Sequence, residues 1–311
     1  SGASATVGCV LSGSQTLAKS GPGTLILSGA NTYTGGTTVS SGTLQLGNGG
    51  ASGSILGNVT NNGTFIFNRS GDFTFGGVIS GSGGLTQNGN IVRLTAAQTY
   101  AGPTVLNSGT LVLPTTVDLG LSASTVVTVG TGARLDLAGR SQKIAGLSGA
   151  GIVYSFSPSD GVLALAVPAQ QTYDFAGTLG FYADSLNFSL VKLGGGTQIL
   201  SGANTYAGAT VIGDTNWGVA GGSSFVDVGT LQIGRGGTTG SLNPASPIVN
   251  VATLVFNRSD TPTQGTDFGA ISGSGRVIQR GSGTLVLSGT NTYAGGTTIE
   301  QGTLQIGAGG T

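Results

Sequence analysis

"LSGANTYTGGTTVSSGTLQLG", from Leu27 to Gly47, returns as "LSGTNTYAGGTTIEQGTLQIG" from Leu287 to Gly307, with 15 of 21 positions identical. Self-similarity of this kind marks a repeat architecture, and a repeat decides how the rest of the chain is read. Two further copies lie between: "LTAAQTY" begins at Leu94 and "LSGANTY" at Leu200, so the four starts are 67, 106 and 87 residues apart. Most of the irregularity is insertion. From Asn31 to Gly42, Gln98 to Gly109 and Asn291 to Gly302 is 11 residues, whereas Asn204 to Gly229 is 25. The extra 14 residues assign 214–228 as a loop insertion, which holds Asp214, Asn216, Phe225 and the single tryptophan, Trp217. Other phrases recur as well, "FNRS" at Phe67 and Phe256 and "ISGSG" at Ile79 and Ile271, so a complete unit is several strands long.

Within each phrase the period is two. In "GTLQLG", Leu44 and Leu46 share one face while Thr43 and Gln45 share the other, and Phe65 and Phe67 do the same in "GTFIFN". Glycine, asparagine and serine break these runs every ~8 to 10 residues, and no stretch keeps a helical period. The expectation is all-β. Whole phrases recur when corresponding strands share one neighbourhood, which stacked coils provide and a sandwich does not. The sequence therefore predicts a single-stranded parallel β-helix, a β-solenoid expected to be right-handed, running as one continuous element through residues 1–311. Roughly 20 to 25 residues per rung would give about 12 to 15 rungs at a ~4.8 Å spacing. A stack of antiparallel hairpins is the alternative, which the "NNG" at Asn61 would suit.

Composition narrows the function. There are 61 glycines, 7% charged residues and a formal net charge of zero, far from the roughly 25% charge of ordinary domains. No run of like charge offers a nucleic-acid groove or a basic membrane-binding face. Histidine is absent and Cys9 is alone, so no metal or cofactor site is expected, and Cys9 reads as a small buried filler. The aspartates are scattered singly. Asp72 and Asp267 follow "FNRS" in both copies, which marks repeat structure, while Asp160, Asp174, Asp184, Asp214 and Asp227 would have to converge across rungs to make a catalytic pair. No run of ~18 apolar residues would span a membrane as a helix.

The repeated residues themselves read as architecture. The glycine pairs Gly35–Gly36 and Gly295–Gly296 supply positive φ or close backbone approach at a corner. Asn31, Asn204 and Asn291, with Gln98 in the degenerate copy, read as turn residues whose amides satisfy exposed backbone or stack into ladders. Tyr33, Tyr100, Tyr206 and Tyr293 follow two residues later and are expected to cover the corner with the hydroxyl in water, or to form a sugar-binding row. The opening stretch is thus read as one coil, with Leu25, Leu27, Leu44 and Leu46 in its core.

"GPGTLILSGANTYTGGTTVSSGTLQLG" and "GSGTLVLSGTNTYAGGTTIEQGTLQIG" resemble the autotransporter-associated β-strand repeat, also called the passenger-associated transport repeat. The Leu200 copy matches but is split by the insertion, and the Leu94 copy keeps "QTYAG" and "NSGTLVL". The resemblance implies a β-helical passenger of a Gram-negative surface protein, exported across the outer membrane through a barrel that this chain does not contain. It names no ligand. The leading expectation is a non-catalytic extracellular structural or adhesive rod, with a host-surface or polysaccharide ligand met by the loop around Trp217. The alternatives are a filament subunit that stacks end to end on itself, since both ends fall mid-unit and lack a polar cap, and a carbohydrate-active enzyme on a β-helix.

Overall fold

The computed structural model describes residues 2–116, 120–156, 161–180, 189–213 and 229–307. The 214–228 insertion, with Asp214, Asn216, Trp217 and Phe225, lies outside the described residues. The chain divides into two compact units, Ser1–Ala138 and Gly139–Thr311. Each is a parallel β-solenoid.

In the first unit the strands Ser4–Val7, Thr24–Leu27, Thr43–Leu46, Thr64–Phe67, Gly84–Gln87, Thr104–Leu106 and Val126–Val129 stack in that order into one sheet. A second sheet holds Phe73–Phe75, Ile91–Leu94, Thr110–Val112 and Arg134–Asp136; a third holds Leu17–Lys19, Thr37–Val39, Val59–Asn61 and Ile79–Ser80. The register Thr24↔Thr43↔Thr64↔Gly84 advances by 19, 21 and 20 residues, the length of one coil. In the second unit the first-sheet stack runs through Thr172–Phe175, Thr197–Leu200, Thr230–Ile233, Thr253–Phe256 and Arg276–Gln279. Beside it stack Val162–Ala166, Ser189–Leu193, Thr210–Ile212 and Ile248–Asn250. All these ladders are parallel, which removes the hairpin alternative.

Two-residue periodicity places the core. Leu44 stacks on Leu25 and under Phe65, and Leu46 stacks on Leu27 and under Phe67. Leu27, Leu44, Leu46, Phe65 and Phe67 are fully buried. The opening stretch closes one full coil: Leu46 near its end stacks on Leu27 at its start, 19 residues earlier. Phenylalanines thicken the next layer: Phe65 meets Phe67 edge to face at 5.1 Å, and Phe75 lies 5.5 Å from Phe67. Cys9, expected inside, is exposed, because it sits in the turn after Ser4–Val7 instead of on an inward strand position.

Leu44 touches core side chains above and below, so Leu44→Ala leaves a cavity between two coils and should cost about 2–5 kcal/mol. Thr38→Ala, on the partly exposed outer face of Thr37–Val39, should stay within about 0.5 kcal/mol. Urea unfolding of the intact chain measures both.

Candidate functional site

The repeated words converge on a corner that is far drier than an ordinary turn. Asn31, Gln98 and Asn204 are 2–3% exposed. The Asn31 Oδ1 accepts the main-chain N–H of Leu11 in the coil before, at 2.9 Å, while Nδ2 donates to Gly29 O and to Ser54 O in the coil after. The main chain completes the bracket, since the N–H of Thr32 donates to Leu11 O. Gln98 repeats this on Ile79, Asn204 on Leu179 and Asn291 on Ile271, each with its side-chain oxygen on the partner's N–H and the next residue's N–H on the partner's carbonyl. The amide oxygen substitutes for a strand carbonyl where the chain turns away from its ladder. The amides expected to satisfy exposed turn backbone instead link coils, buried at Asn31, Gln98 and Asn204 and half-buried at Asn291, and leaving such groups unpaired when buried would cost about 1–3 kcal/mol each. Amide bonds amide between coils at Asn291 with Gln264 and, away from the corner, at Asn107 with Asn88.

Tyrosine is inside too. Tyr33 is 3% exposed and Tyr100 and Tyr206 are fully buried, while Tyr293 is half-buried. The hydroxyls expected in water bond instead to the threonine four residues on: Tyr33 to Thr37 at 2.7 Å, Tyr100 to Thr104 at 2.5 Å, Tyr206 to Thr210 at 2.8 Å and Tyr293 to Thr297 at 2.5 Å. In two copies the chain of hydroxyls continues into the next coil and ends on the first corner glycine. Thr104 meets Thr125, which donates to Gly102 O, and Thr210 meets Ser246, which donates to Gly208 O. A phenol buried this way has a polar handle and no face left for a sugar. Burial pushes the phenols of Tyr33, Tyr100 and Tyr206 above the usual tyrosine value, against the opposing effect of the threonine bond.

The paired glycines divide the two jobs between them. A Cβ on Gly35 would lie 2.4 Å from Gln15 C, and one on Gly295 2.5 Å from Gly275 C, so the first glycine is there for close approach of coils. Gly36 and Gly296 have φ of +83° and +76° with nothing crowding them, so the second is there for the left-handed backbone. The first is glycine in all four copies; the second is Pro103 and Ala209 in the middle two. Sequence reasoning missed three further recurrent groups. The threonines at Tyr+4 are one. The glutamines of "TLQ" are another, Gln45, Gln232 and Gln305, each donating to the carbonyl of the glycine two residues on. Lys19 and Lys192 are the third, with stems in the core and ammonium groups on main-chain oxygens, for Lys19 those of Ser20, Gly21 and Ser41. Aligning the copies column by column would have exposed the first two.

The "FNRS" arginines clamp the turn of the preceding coil. Arg69 donates to Gly53 O and Ala51 O and lies 4.5 Å over the Phe73 ring. Arg258 donates to Gly240 O, the counterpart of Gly53, at 3.0 Å, and adds a two-pronged bond to Asp260 and a 2.8 Å bond to Asp267. Burial alone pulls the Arg69 guanidinium below its usual value, and its Nε is buried without a partner. At Arg258 burial acts the same way, but bonds to Asp260 and Asp267 outweigh it and raise the value. Asp160, Asp184, Asp214 and Asp227 lie outside the described residues. Asp174 pairs with Arg235, and no group of three metal-ligating side chains occurs among the described residues.

Two measurements test these assignments. Below about pH 10 both folded and unfolded phenols are protonated; above it the unfolded chain ionises first, the folded state holds more protons, and stability falls as pH rises. Tyr100→Phe with Tyr206→Phe should lower neutral-pH stability by roughly 1 kcal/mol per lost bond yet flatten that alkaline decline, as read from urea midpoints across the range. Gly71 stands where Asp260 stands in the second unit, with room for a Cβ against Ala51. Gly71→Asp should supply Arg69 with the missing carboxylate and raise stability by up to about 1 kcal/mol, less at high salt.

The model of the passenger-associated transport repeat matches residues 17–46, 87–113, 190–214 and 277–306. The chain is also 32% identical over 394 aligned positions to the "Adhesin BmaC autotransporter" of Brucella suis biovar 1 (strain 1330), an alignment covering 88% of this chain and 11% of that protein. No solved structure matches the chain. The matched stretches contain the corner residues just described, Asn31, Tyr100, Asn204 and Tyr293 among them. The chain thus carries four passenger-associated transport repeats on a parallel β-solenoid.

Proposed function

We propose that the chain is a non-catalytic length of the adhesive passenger of an autotransporter, exported to the surface of a Gram-negative cell, where it holds binding groups on a rigid coil frame against host or other surface ligands. The observation that carries this reading is the likeness to an autotransporter adhesin over 88% of the chain, together with four transport repeats. The chain spans 11% of that relative's length, so the adhesive activity of the whole protein is here a proposal for its part. The acidic groups support a structural use of charge. Asp174 is bonded to Arg235, Asp260 and Asp267 to Arg258, and Glu300 to Arg280. Stacked coils also suit export, because each can settle on the one before as it emerges, with contacts only about 20 residues apart in sequence. No helix among the described residues is long and apolar enough to cross a membrane.

Fluorescent beads coated with the purified chain should be retained on host-cell monolayers, and soluble chain should compete them off. Retention equal to that of beads coated with an unrelated β-solenoid would remove the adhesive reading.

A further inference from the structure

The two matched copies of the turn clamped by "FNRS" provide an internal control. Residues 47–53, "GNGGASG", and 234–240, "GRGGTTG", are built on the same frame: Gly47 and Gly234, Gly53 and Gly240, Ser54 and Ser241, Arg69 and Arg258. Both turns close through the same bonds, Gly49 N–H to Asn68 O and Gly236 N–H to Asn257 O. Around this shared frame the second unit changes five positions. Thr6, Asn48, Ala51, Ser52 and Gly71 of the first unit are Asp174, Arg235, Thr238, Thr239 and Asp260 in the second. The first unit shows that the coil closes without these groups. Asp260 braces Arg258 and Asp174 pairs with Arg235, but among the described residues the hydroxyls of Thr238 and Thr239 brace nothing, and their presence calls for another cause.

Thr238 and Thr239 line a cleft of about 470 Å³ together with Ser201, Ser241, Arg258 and Asp267, with Gly202 and Gly240 between them, and Asp174 and Asp260 stand behind it, bonded to Ser201 and Arg258. That volume lies within the range of small-molecule sites, about 300–1,000 Å³. Ser201 donates to Asp174 at 2.6 Å, and the other oxygen of Asp174 accepts from the exposed Arg235 at 2.8 Å. Arg258 and Asp267 are fixed against each other at 2.8 Å, so one donor and one acceptor reach the lining already oriented. The hydroxyls of Thr238, Thr239 and Ser241 make no side-chain hydrogen bond among the described residues.

We propose that this cleft is a subsite for a neutral saccharide unit. A sugar hydroxyl both donates and accepts, and this lining alternates carboxylate, guanidinium and hydroxyl over a short distance. A strongly anionic ligand fits poorly, because the arginine of the lining, Arg258, is already paired with two carboxylates, Asp260 and Asp267, and Asp267 itself faces the cleft. The proposal deepens the adhesive reading and rests on it for its setting, while the chemistry of the cleft is tested separately.

Saturation-transfer NMR on the intact chain, with methyl glycosides of glucose, galactose and N-acetylglucosamine and with glucuronate as the charged control, reads binding directly. The expected result is transfer to at least one neutral glycoside and none to glucuronate. Thr238→Val and Thr239→Val, both at exposed positions of the lining, should each weaken it by about tenfold, the loss of one well-placed hydrogen bond, with circular dichroism and melting unchanged. Absence of transfer to every neutral glycoside overturns the proposal, as does binding that both variants leave intact or preference for glucuronate. Glycoside binding without bead retention would sink the adhesive reading and leave the cleft standing. Bead retention with no glycoside bound, and unaffected by Thr238→Val, overturns the cleft alone.

Discussion

The constraint on which the rest depends is the main-chain hydrogen bond across a corner. Stacking coils in parallel satisfies backbone groups wherever strands run side by side, but each coil must also turn, and at the turn the ladder stops while neighbouring coils remain in contact. Buried N–H and C=O groups would be stranded there. Asn31, Gln98, Asn204 and Asn291 resolve this by lending a side-chain oxygen to the N–H of one apolar residue in the coil before. The longer Gln98 performs the same task, which shows that the requirement is an amide at that place and not a particular turn conformation. The chain can leave the ladder there without exposing it.

Once the corner is dry, the tyrosine and its threonine follow. A ring of that size closes the end of the core, and its hydroxyl, shut away from water, needs a fixed partner; a threonine four residues on lies at the start of the next strand and faces inward. Close approach then dictates the first glycine. The hydroxyl relay from Tyr206 through Thr210 and Ser246 to Gly208 shows the corner, the core and the following coil held as one arrangement. This is why the repeat is long and specific although almost none of it touches solvent chemistry.

Much of this was legible in the sequence. Alternation in "GTLQLG" and "GTFIFN" revealed strands with one buried face, and recurrence of whole phrases indicated stacked parallel coils. What sequence misjudged was polarity. Asparagine, tyrosine and lysine read as surface residues by type, yet Asn204, Tyr206 and Lys192 are buried, because a solenoid corner offers main-chain oxygens and amides that ordinary cores lack. The length of a coil was legible too, since the stretch from Leu27 to Leu46 that reads as one coil is one turn of the register. The insertion at 214–228 and its binding role both rest on counting residues in the sequence and stay expectations.

Repetition also separates frame from function in a way that a single globular domain does not allow. At matched positions the frame is what both copies keep: glycine at 53 and 240, arginine at 69 and 258, an amide at 31 and 204. A residue present in one copy and absent from the other cannot be needed for closing a coil, since the other copy closes without it. Asp174 and Arg235 are such residues, 61 apart in sequence and joined at 2.8 Å. Coils that must stack reliably can change most freely at such outward positions, so differences between matched copies are where chemistry beyond closing the coil can be looked for.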